Sequence, residues 1–553
     1  MPKLSKPLRN LEFLLLALIA IAVLLRIVYV GEREFWYDEV LSLLLSTGQK
    51  GAYRTPGDVP VDLSSYSSVL TLPPETSWSN FLGTLEKLLK GLVAEPHPPL
   101  FYLGQHFWLR LFGNSEAALR SLGVLFSVGA IGGAYGLGNR VLGHRGGLLL
   151  AALLGVNPFF LFHSLNVRMY TPLVFWTVVS AWLLLELIHL NRTVTSRRSL
   201  HRFGLWVLLI GSVTAGLMTF YYFAVWLVAL GAVVLLLDRK RWWQYALALS
   251  TGAVITTPWV WWGTRQQLRN ADLNRFATSN NWLETVATHT AGVVQTLGIH
   301  LAVGDWVSTL PPAVVIGSGV LVILGLLGCS VSLWHRGRQA FGIAFLLGIL
   351  PLLLMLAVDV VSGKFTVGFG WGRSVIFILP GCLLLIAAWA ECSQQQWQKA
   401  TAAILLVLYL SVSVADFSGR SRWVFHRLAN IIEQQPATPT LVAINSKAWG
   451  HVLRLVYYLP TNAPVSLLAQ DSASLASGLE KTLSGSSYPR LIWLDSQRPL
   501  WAAPQTEAQA AEDRQNVQQV LNSRYQLEKI QPLSGTMELD EFTAYIYSLS
   551  ASS

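Results

Sequence analysis

Apolar stretches of membrane-crossing length recur along this chain, and no other feature limits its fold as strongly. The first runs from Leu11 to Val30 with only Glu12 and Arg26 charged. Others fall near 116–140, 146–163, 170–190, 204–219, 220–238, 243–262, 311–333, 340–360, 372–390 and 398–415. Most are close to the roughly 20 residues that an α-helix needs to cross a bilayer. Inside hydrocarbon only helices and closed barrels satisfy all their backbone groups. Composition agrees: of 553 residues 53% are hydrophobic and 13% charged, where a soluble protein carries about a quarter charged. The chain reads as a polytopic, all-α membrane protein with about eleven transmembrane helices.

The charges between the stretches set an expected orientation. Lys3, Lys6 and Arg9 precede the first one. That stretch exceeds the roughly 7–15 residues of a signal-peptide core and lacks a small-residue cleavage site, so it reads as a retained helix. Basic connections alternate with less basic ones: Arg140/His144/Arg145, Arg192/Arg197/Arg198/Arg202, Arg239/Lys240/Arg241 and His335/Arg336/Arg338. Placing them in the cytoplasm satisfies the positive-inside rule. Parity then puts 31–115, 157–170, 263–310, 361–373 and everything after about Ser418 outside. The segment Pro98–Phe112 is short for a span and is expected to lie in the outer interface, anchored by Trp108 and Arg110. The net charge of +10 suits cytoplasmic loops and lipid phosphates, so nucleic acid is not an expected partner. Cys329, Cys382 and Cys392 fall in or beside apolar segments, and no disulfide is expected.

Beyond about residue 418 the pattern changes. Candidate strands Leu441–Asn445, Val465–Ala469, Leu491–Asp495 and Phe542–Ser548 alternate with helical stretches Trp449–Leu459 and Ser472–Leu483. This alternation predicts a small α/β domain. The expected division is a transmembrane module over 1–418, with a long first outer loop at 31–115, and a soluble extracytoplasmic α/β domain over 419–553. No glycine-rich phosphate loop or metal-ligand cluster marks the latter, which reads as a cap or docking surface.

Under this topology the outer face gathers Asp38 and Glu39, His97 between prolines, Arg168 and Tyr170, then Lys364 and Arg373. Carboxylates there can serve as general bases, and cations can hold a phosphate. Taken singly, each has an ordinary reading. The acids fit a solvated helix end, His97 a rigid proline turn, Arg168 a snorkelling cation, and Lys364 and Arg373 contacts to lipid headgroups. Arg26 fits snorkelling or pairing within the membrane. The pairs Trp242-Trp243 and Trp261-Trp262, with Trp259, fit interface belts.

In order, the motifs say more. Phe35-Trp36-Tyr37-Asp38-Glu39 follows the first helix. His97-Pro98-Pro99-Leu100-Phe101-Tyr102 comes next, then Leu111-Phe112-Gly113-Asn114-Ser115-Glu116 and Leu119-Arg120-Ser121-Leu122. Asn157-Pro158-Phe159 and Arg168-Met169-Tyr170 complete the series. The series, over roughly 10–265 with a weaker echo at Gly372-Arg373-Ser374 through Pro380, resembles the GT-C-fold polyprenyl-phosphate-sugar glycosyltransferases. That group includes protein O-mannosyltransferases and aminoarabinose transferases. The resemblance implies inverting transfer of a hexosyl or pentosyl group from a polyprenyl-phosphate donor to a hydroxyl of a lipid, glycan or protein acceptor. The expected setting is the outer face of a bacterial inner or plasma membrane.

By position the resemblance makes Asp38 the base, with Glu39 its partner or stand-in. His97, Arg168, Tyr170, Lys364 and Arg373 become substrate-binding residues. Relatives commonly carry an acid two positions before the arginine of the Arg-Met-Tyr motif, where this chain has Asn166. Metal use therefore stays open: no cofactor is implied with certainty, and Asp38 and Glu39 could take part in holding a divalent cation. Two other readings remain. One is a lipid or sugar transporter or flippase, although transporters place ionisable groups near the midplane and often repeat their halves. The other is a non-catalytic family member.

Overall fold

All eleven apolar stretches are helical in a computed structural model of the chain, which describes residues 6–193, 199–270, 282–393, 395–419, 422–500, 503–535 and 540–550. Among the described residues eight helices are long and apolar enough to cross a membrane. They are Asn10–Tyr29, Glu116–Leu142, Tyr170–Arg192, Leu200–Thr219, Pro312–Arg336, Arg338–Ser362, Phe369–Glu391 and Gln396–Gly419. The pair His144–Val156 and Pro158–Ser164, bent by 64°, makes a ninth if taken as one span. Asn157 explains the break: its side chain caps the second helix by accepting from Phe160 N, and Pro158 follows at the first helical position. Phe223–Leu237 and Trp242–Ile255 are shorter, at 15 and 14 residues. At about 1.5 Å per residue each falls short of a hydrocarbon layer about 30 Å thick. Arg197 and Arg198 of the second basic connection lie outside the described residues.

The chain divides into two compact units. The first comprises Met1–Val30, Leu92–Phe101 and Arg120–Gly419 and holds the apolar helices. Within it Arg26 is fully buried. Its guanidinium donates to Ser127 Oγ at 2.5 Å and to the carbonyls of Ala22 and Gly155 at 2.8 Å, with the Phe160 ring 5.3 Å away. It is thus an intramembrane pairing residue, held through Nε and Nη1 by oxygens that carry no formal charge.

The second unit is built on a six-stranded sheet. In chain order its strands are β1 (Val61–Asp62), β2 (Thr440–Ile444), β3 (Val465–Ala469), β4 (Arg490–Ser496), β5 (Tyr525–Ser534) and β6 (Glu541–Leu549). In space they run β1-β3-β2-β4-β6-β5. β2 pairs in parallel with β3 and β4, and the outer pairings are antiparallel. The parallel centre is covered on both faces, which is why β2 and β4 are buried at every position. Leu441, Leu468, Leu491 and Trp493 pack there with Leu475 and Leu479, from the helix Ser472–Gly485, and Leu521, from the helix Glu507–Asn522.

The unit also takes in Gly31–Gly91 and Tyr102–Leu119. Much of 31–115, expected with the transmembrane module, packs instead with the residues after Gly419. The helix Tyr37–Ser46 supplies the reason: it buries Val40, Leu43 and Leu44, and the helix Trp449–Tyr458 covers it. β1 then adds to the sheet edge beside β3. Within the expected interfacial segment, the helix Leu100–Phe112 forms. Its Arg110 makes an ion pair with Glu75 at 2.6 Å, and its Trp108 donates to the Ala118 carbonyl at 3.0 Å.

Candidate active site

The acid motif Phe35-Trp36-Tyr37-Asp38-Glu39 belongs to the sheet-containing unit, at the start of the helix Tyr37–Ser46. Trp36 is extended (φ −82°, ψ 174°), and Glu39 N donates to Trp36 O at 3.0 Å, which opens the first turn. Glu39 Oε2 reaches back to accept from Trp36 N at 3.0 Å. That bond satisfies a backbone donor with no partner inside the helix, and acids in a first turn also complement the helix dipole. Glu39 is fully buried, whereas Asp38 is half-buried. Of the two acids, Asp38 is the one with surface left for a substrate, and Glu39 holds the turn that presents it.

Residues far along the chain fix the backbone on either side. Glu34 accepts from Val424 N, His426 N and His426 Nδ1 at 2.9, 2.5 and 2.9 Å. Phe35 N donates to Tyr458 Oη at 2.6 Å, and the Phe35 ring meets that of Tyr457 edge-on. Tyr37 lies edge-on to His451 and presses on Gly450, where a Cβ would stand 2.5 Å from its ring. Below them Arg454 and Asp540 form a buried ion pair at 2.5 Å. None of these supports stood out in the sequence, because nothing local links Glu34 to His426 or Tyr37 to Gly450.

The membrane unit holds the cations. His97 Nε2 accepts from Arg168 Nη2 at 3.3 Å, since a guanidinium can only donate. The His97 ring stacks on Phe220, which also meets Tyr170 edge-on. The Arg373 guanidinium lies 5.9 Å from the centre of the Tyr170 ring. Hence His97, Arg168, Tyr170 and Arg373 form one cluster, with Phe220 as the unpredicted link. Gln267, also unpredicted, fastens the His97 turn by donating to the carbonyls of Leu92 and His97 at 2.9 and 2.8 Å.

Arg373 is aimed by an unusual backbone. Gly370, Trp371 and Gly372 all have positive φ (55°, 62° and 75°), and a Cβ on Gly372 would strike Thr296 at 2.4 Å. His300 Nε2 donates to the Gly372 carbonyl at 3.0 Å. Burial pushes His300 down to about 3, so it stays a neutral donor at physiological pH. Lys364 joins the same segment through its main chain, with N donating to Asp359 O and O accepting from His289 Nε2. Asp359 accepts from Thr366 N and Val367 N at 2.8 and 2.7 Å, tying the segment down. Asn166, where an acid was expected, is buried and pairs with His163 at 3.3 Å.

Among the described residues no three of His, Cys, Asp and Glu come together as a metal-binding group. Glu39 Oε2 already accepts from Trp36 N, and the described residues supply no complete ligand set around Asp38 and Glu39.

The molecule is thus a polytopic, mostly helical membrane protein with a small sheet domain, carrying acid and cation constellations at separate places in the chain. A family model for dolichyl-phosphate-mannose-protein mannosyltransferase matches residues 96–262, less than a third of the chain. The match falls on the stretch with His97, Arg168 and Tyr170, and it names the same glycosyltransferase class as the motif series. No curated protein matches the chain. Among solved structures, the chain is similar to the oligosaccharyltransferase AglB from Archaeoglobus fulgidus in complex with an inhibitory peptide and a dolichol-phosphate. There the identity is 12%, the coverage 87% of this chain and 69% of that one, and the TM-score 0.48. It is also similar to ArnT from Cupriavidus metallidurans bound to undecaprenyl phosphate, at 12% identity, 97% and 98% coverage and TM-score 0.42. Another structure of the Archaeoglobus fulgidus oligosaccharyltransferase, in complex with Zn and sulfate, matches at 13% identity, 96% and 73% coverage and TM-score 0.46.

Proposed function

We propose that this chain is a membrane glycosyltransferase that moves a sugar from a polyprenyl-phosphate donor to an acceptor hydroxyl, with inversion at the anomeric carbon. The acceptor oxygen attacks that carbon and forms the new glycosidic bond. Its proton passes to Asp38, and the bond to the phosphate oxygen breaks, leaving the lipid phosphate. A positioned carboxylate base contributes about 10²–10⁴-fold to such a step. Arg168 and Arg373 stabilise the charge that grows on the leaving phosphate, His97 and Tyr170 orient them, and Lys364 adds a further cation. No protonated acid is needed, because phosphate leaves without one.

The observation that carries this reading is the cluster of Arg168 and Arg373 around His97 and Tyr170, with Arg168 only 7% exposed. Arg168 donates to His97 and Arg373 lies over the Tyr170 ring, so one cluster offers two guanidiniums, the donors best suited to a phosphate. Loop charges support placing the transfer, together with the sheet domain, on the outer face of a bacterial plasma membrane. The donor sugar, hexose or pentose, and the lipid, glycan or protein acceptor belong to this same proposal.

The test is to incubate the purified full-length protein, in lipid vesicles, with labelled polyprenyl-phosphate sugars and candidate acceptors. The expected result is label joined to an acceptor together with release of polyprenyl phosphate. Label that crosses the bilayer without being joined to anything would mark a carrier and defeat the proposal.

A further inference from the structure

A cavity of about 400 Å³ opens where β2 and β4 end. The chain reverses direction across the sheet there: β3 lies on one side of β2 and β4 on the other, all three parallel. In open α/β sheets the crevice beyond the carboxyl ends of the strands at such a reversal is where ligands gather. The volume is that of a small-ligand pocket, typically about 300–1,000 Å³.

Polar groups converge on this cavity. Asn445 Nδ2 donates to Asp495 Oδ1 at 2.7 Å, and Arg514 Nε donates to Asp495 Oδ2 at 2.9 Å. Gln497 Oε1 accepts from Arg514 Nη2 at 3.2 Å. Fastening the helix Glu507–Asn522 to the sheet would account for this network alone. It does not account for Ser472 and Ser496. Both line the cavity, both are buried, and neither hydroxyl has a hydrogen-bond partner among the described residues. A buried hydroxyl left unpaired is destabilising, so its retention beside a cavity points to something that enters and pairs with it.

The chemistry of the wall selects the ligand. Two hydroxyls, each donor and acceptor, stand with an amide, a carboxylate and a guanidinium. Leu475, Ala510 and Val517 supply an apolar surface. That combination suits a ring with adjacent hydroxyls on its edge and C–H groups on its face. An anion is disfavoured, because the carboxylates of Asp495, Glu507 and Asp513 outnumber the guanidiniums of Arg498 and Arg514. We infer that this cavity binds a neutral saccharide of one or two rings, through the Ser472 and Ser496 hydroxyls and the Asn445–Asp495–Arg514 network. The inference stands apart from the transfer reaction, since none of these residues belongs to the acid or the cation constellation.

Ligand-observed saturation-transfer NMR on the full-length protein, held in a detergent without a sugar headgroup, tests it. The probes are the methyl glycosides of mannose, glucose, galactose and N-acetylglucosamine, each at millimolar concentration. At least one gives a signal with the wild type. The double variant Ser472→Ala/Ser496→Ala reduces that signal about fivefold or more while its Tm holds or rises, because the hydroxyls removed had no partner to lose. Ala510→Trp, which fills the cavity, abolishes the signal. Asp38→Asn leaves it intact whether or not sugar transfer fails, so the two proposals can fail separately. The inference is overturned by silence from every glycoside, by a signal that survives the serine and Ala510 variants, by its loss in Asp38→Asn, or by its displacement with inorganic phosphate.

Discussion

The acid turn and the cation cluster are held by opposite physics. Asp38 is presented by a helix start whose neighbours are clamped from far along the chain, through Glu34 on His426, Phe35 on Tyr458 and Tyr37 on Gly450. Its position depends on the sheet domain being folded. Arg373 is presented by its own backbone, three successive residues at positive φ steadied by His300 on the Gly372 carbonyl. Its position depends on local geometry among apolar helices. On the proposed mechanism the sheet domain frames the acid, so damage to it should be read out as lost chemistry while donor binding survives.

The largest effect separates the two sites. Asp38→Asn should lower the rate of sugar transfer by about 10²–10⁴-fold with donor binding and thermal stability unchanged, because the amide keeps the shape and loses the base. Full activity in that variant would remove the acid from the mechanism. Next comes Arg168→Ala, expected to raise KM for the polyprenyl-phosphate donor about 10-fold or more, the cost of one charge-assisted contact to phosphate. Arg168→Lys should recover only part of this, since an ammonium lacks the planar fork. If Arg168→Ala instead changed only the acceptor's KM, the cluster would have to be reassigned to the acceptor.

How much of this was legible beforehand follows from where the determinants lie in the chain. Helices announce themselves through long apolar runs, and β2, β3 and β4 through short ones, so both were readable. β5 was not: it is exposed at most positions, polar and interrupted by Pro532, and its pairing with β6 gives it its strand character. Asp38, Arg168 and Tyr170 stood out as charged or polar groups in ordered motifs. The partners that place them did not, because Phe220 beside His97 and His426 beside Glu34 are products of folding with no local signature. The distinction between Asp38 and Glu39 also needed the structure, since it turns on which carboxylate reaches back to Trp36 N.

Two glycine variants sharpen the comparison at intermediate size. Gly450→Ala would set a methyl 2.5 Å from the Tyr37 ring, and Gly372→Ala would set one 2.4 Å from Thr296 at a φ of 75°. Each should cost about 1–3 kcal/mol of stability through overpacking or backbone strain. The readouts should differ: Gly450→Ala lowers kcat by displacing the acid turn, whereas Gly372→Ala raises KM for the donor by moving Arg373. The same kinetic signature from both would mean that the two supports are not independent.

The smallest effect is a pH dependence confined to the acid's side. Burial alone would pull His426 down, but its hydrogen bond to Glu34 and the Glu34 charge outweigh that and hold it above its ordinary value. The protonated form is therefore favoured by folding. The stability it contributes is complete below about pH 6.5, the unfolded value, and is lost as pH rises through the raised folded one. Because His426 is 39% exposed, solvent screens most of this, and Tm should fall by no more than about 2 °C from pH 6 to pH 9. His426→Gln should remove that slope while Gly372→Ala keeps it. A wild type whose Tm is flat across that window, or a slope that survives His426→Gln, would show that the Glu34 clamp works through its backbone bonds to Val424 and His426 alone.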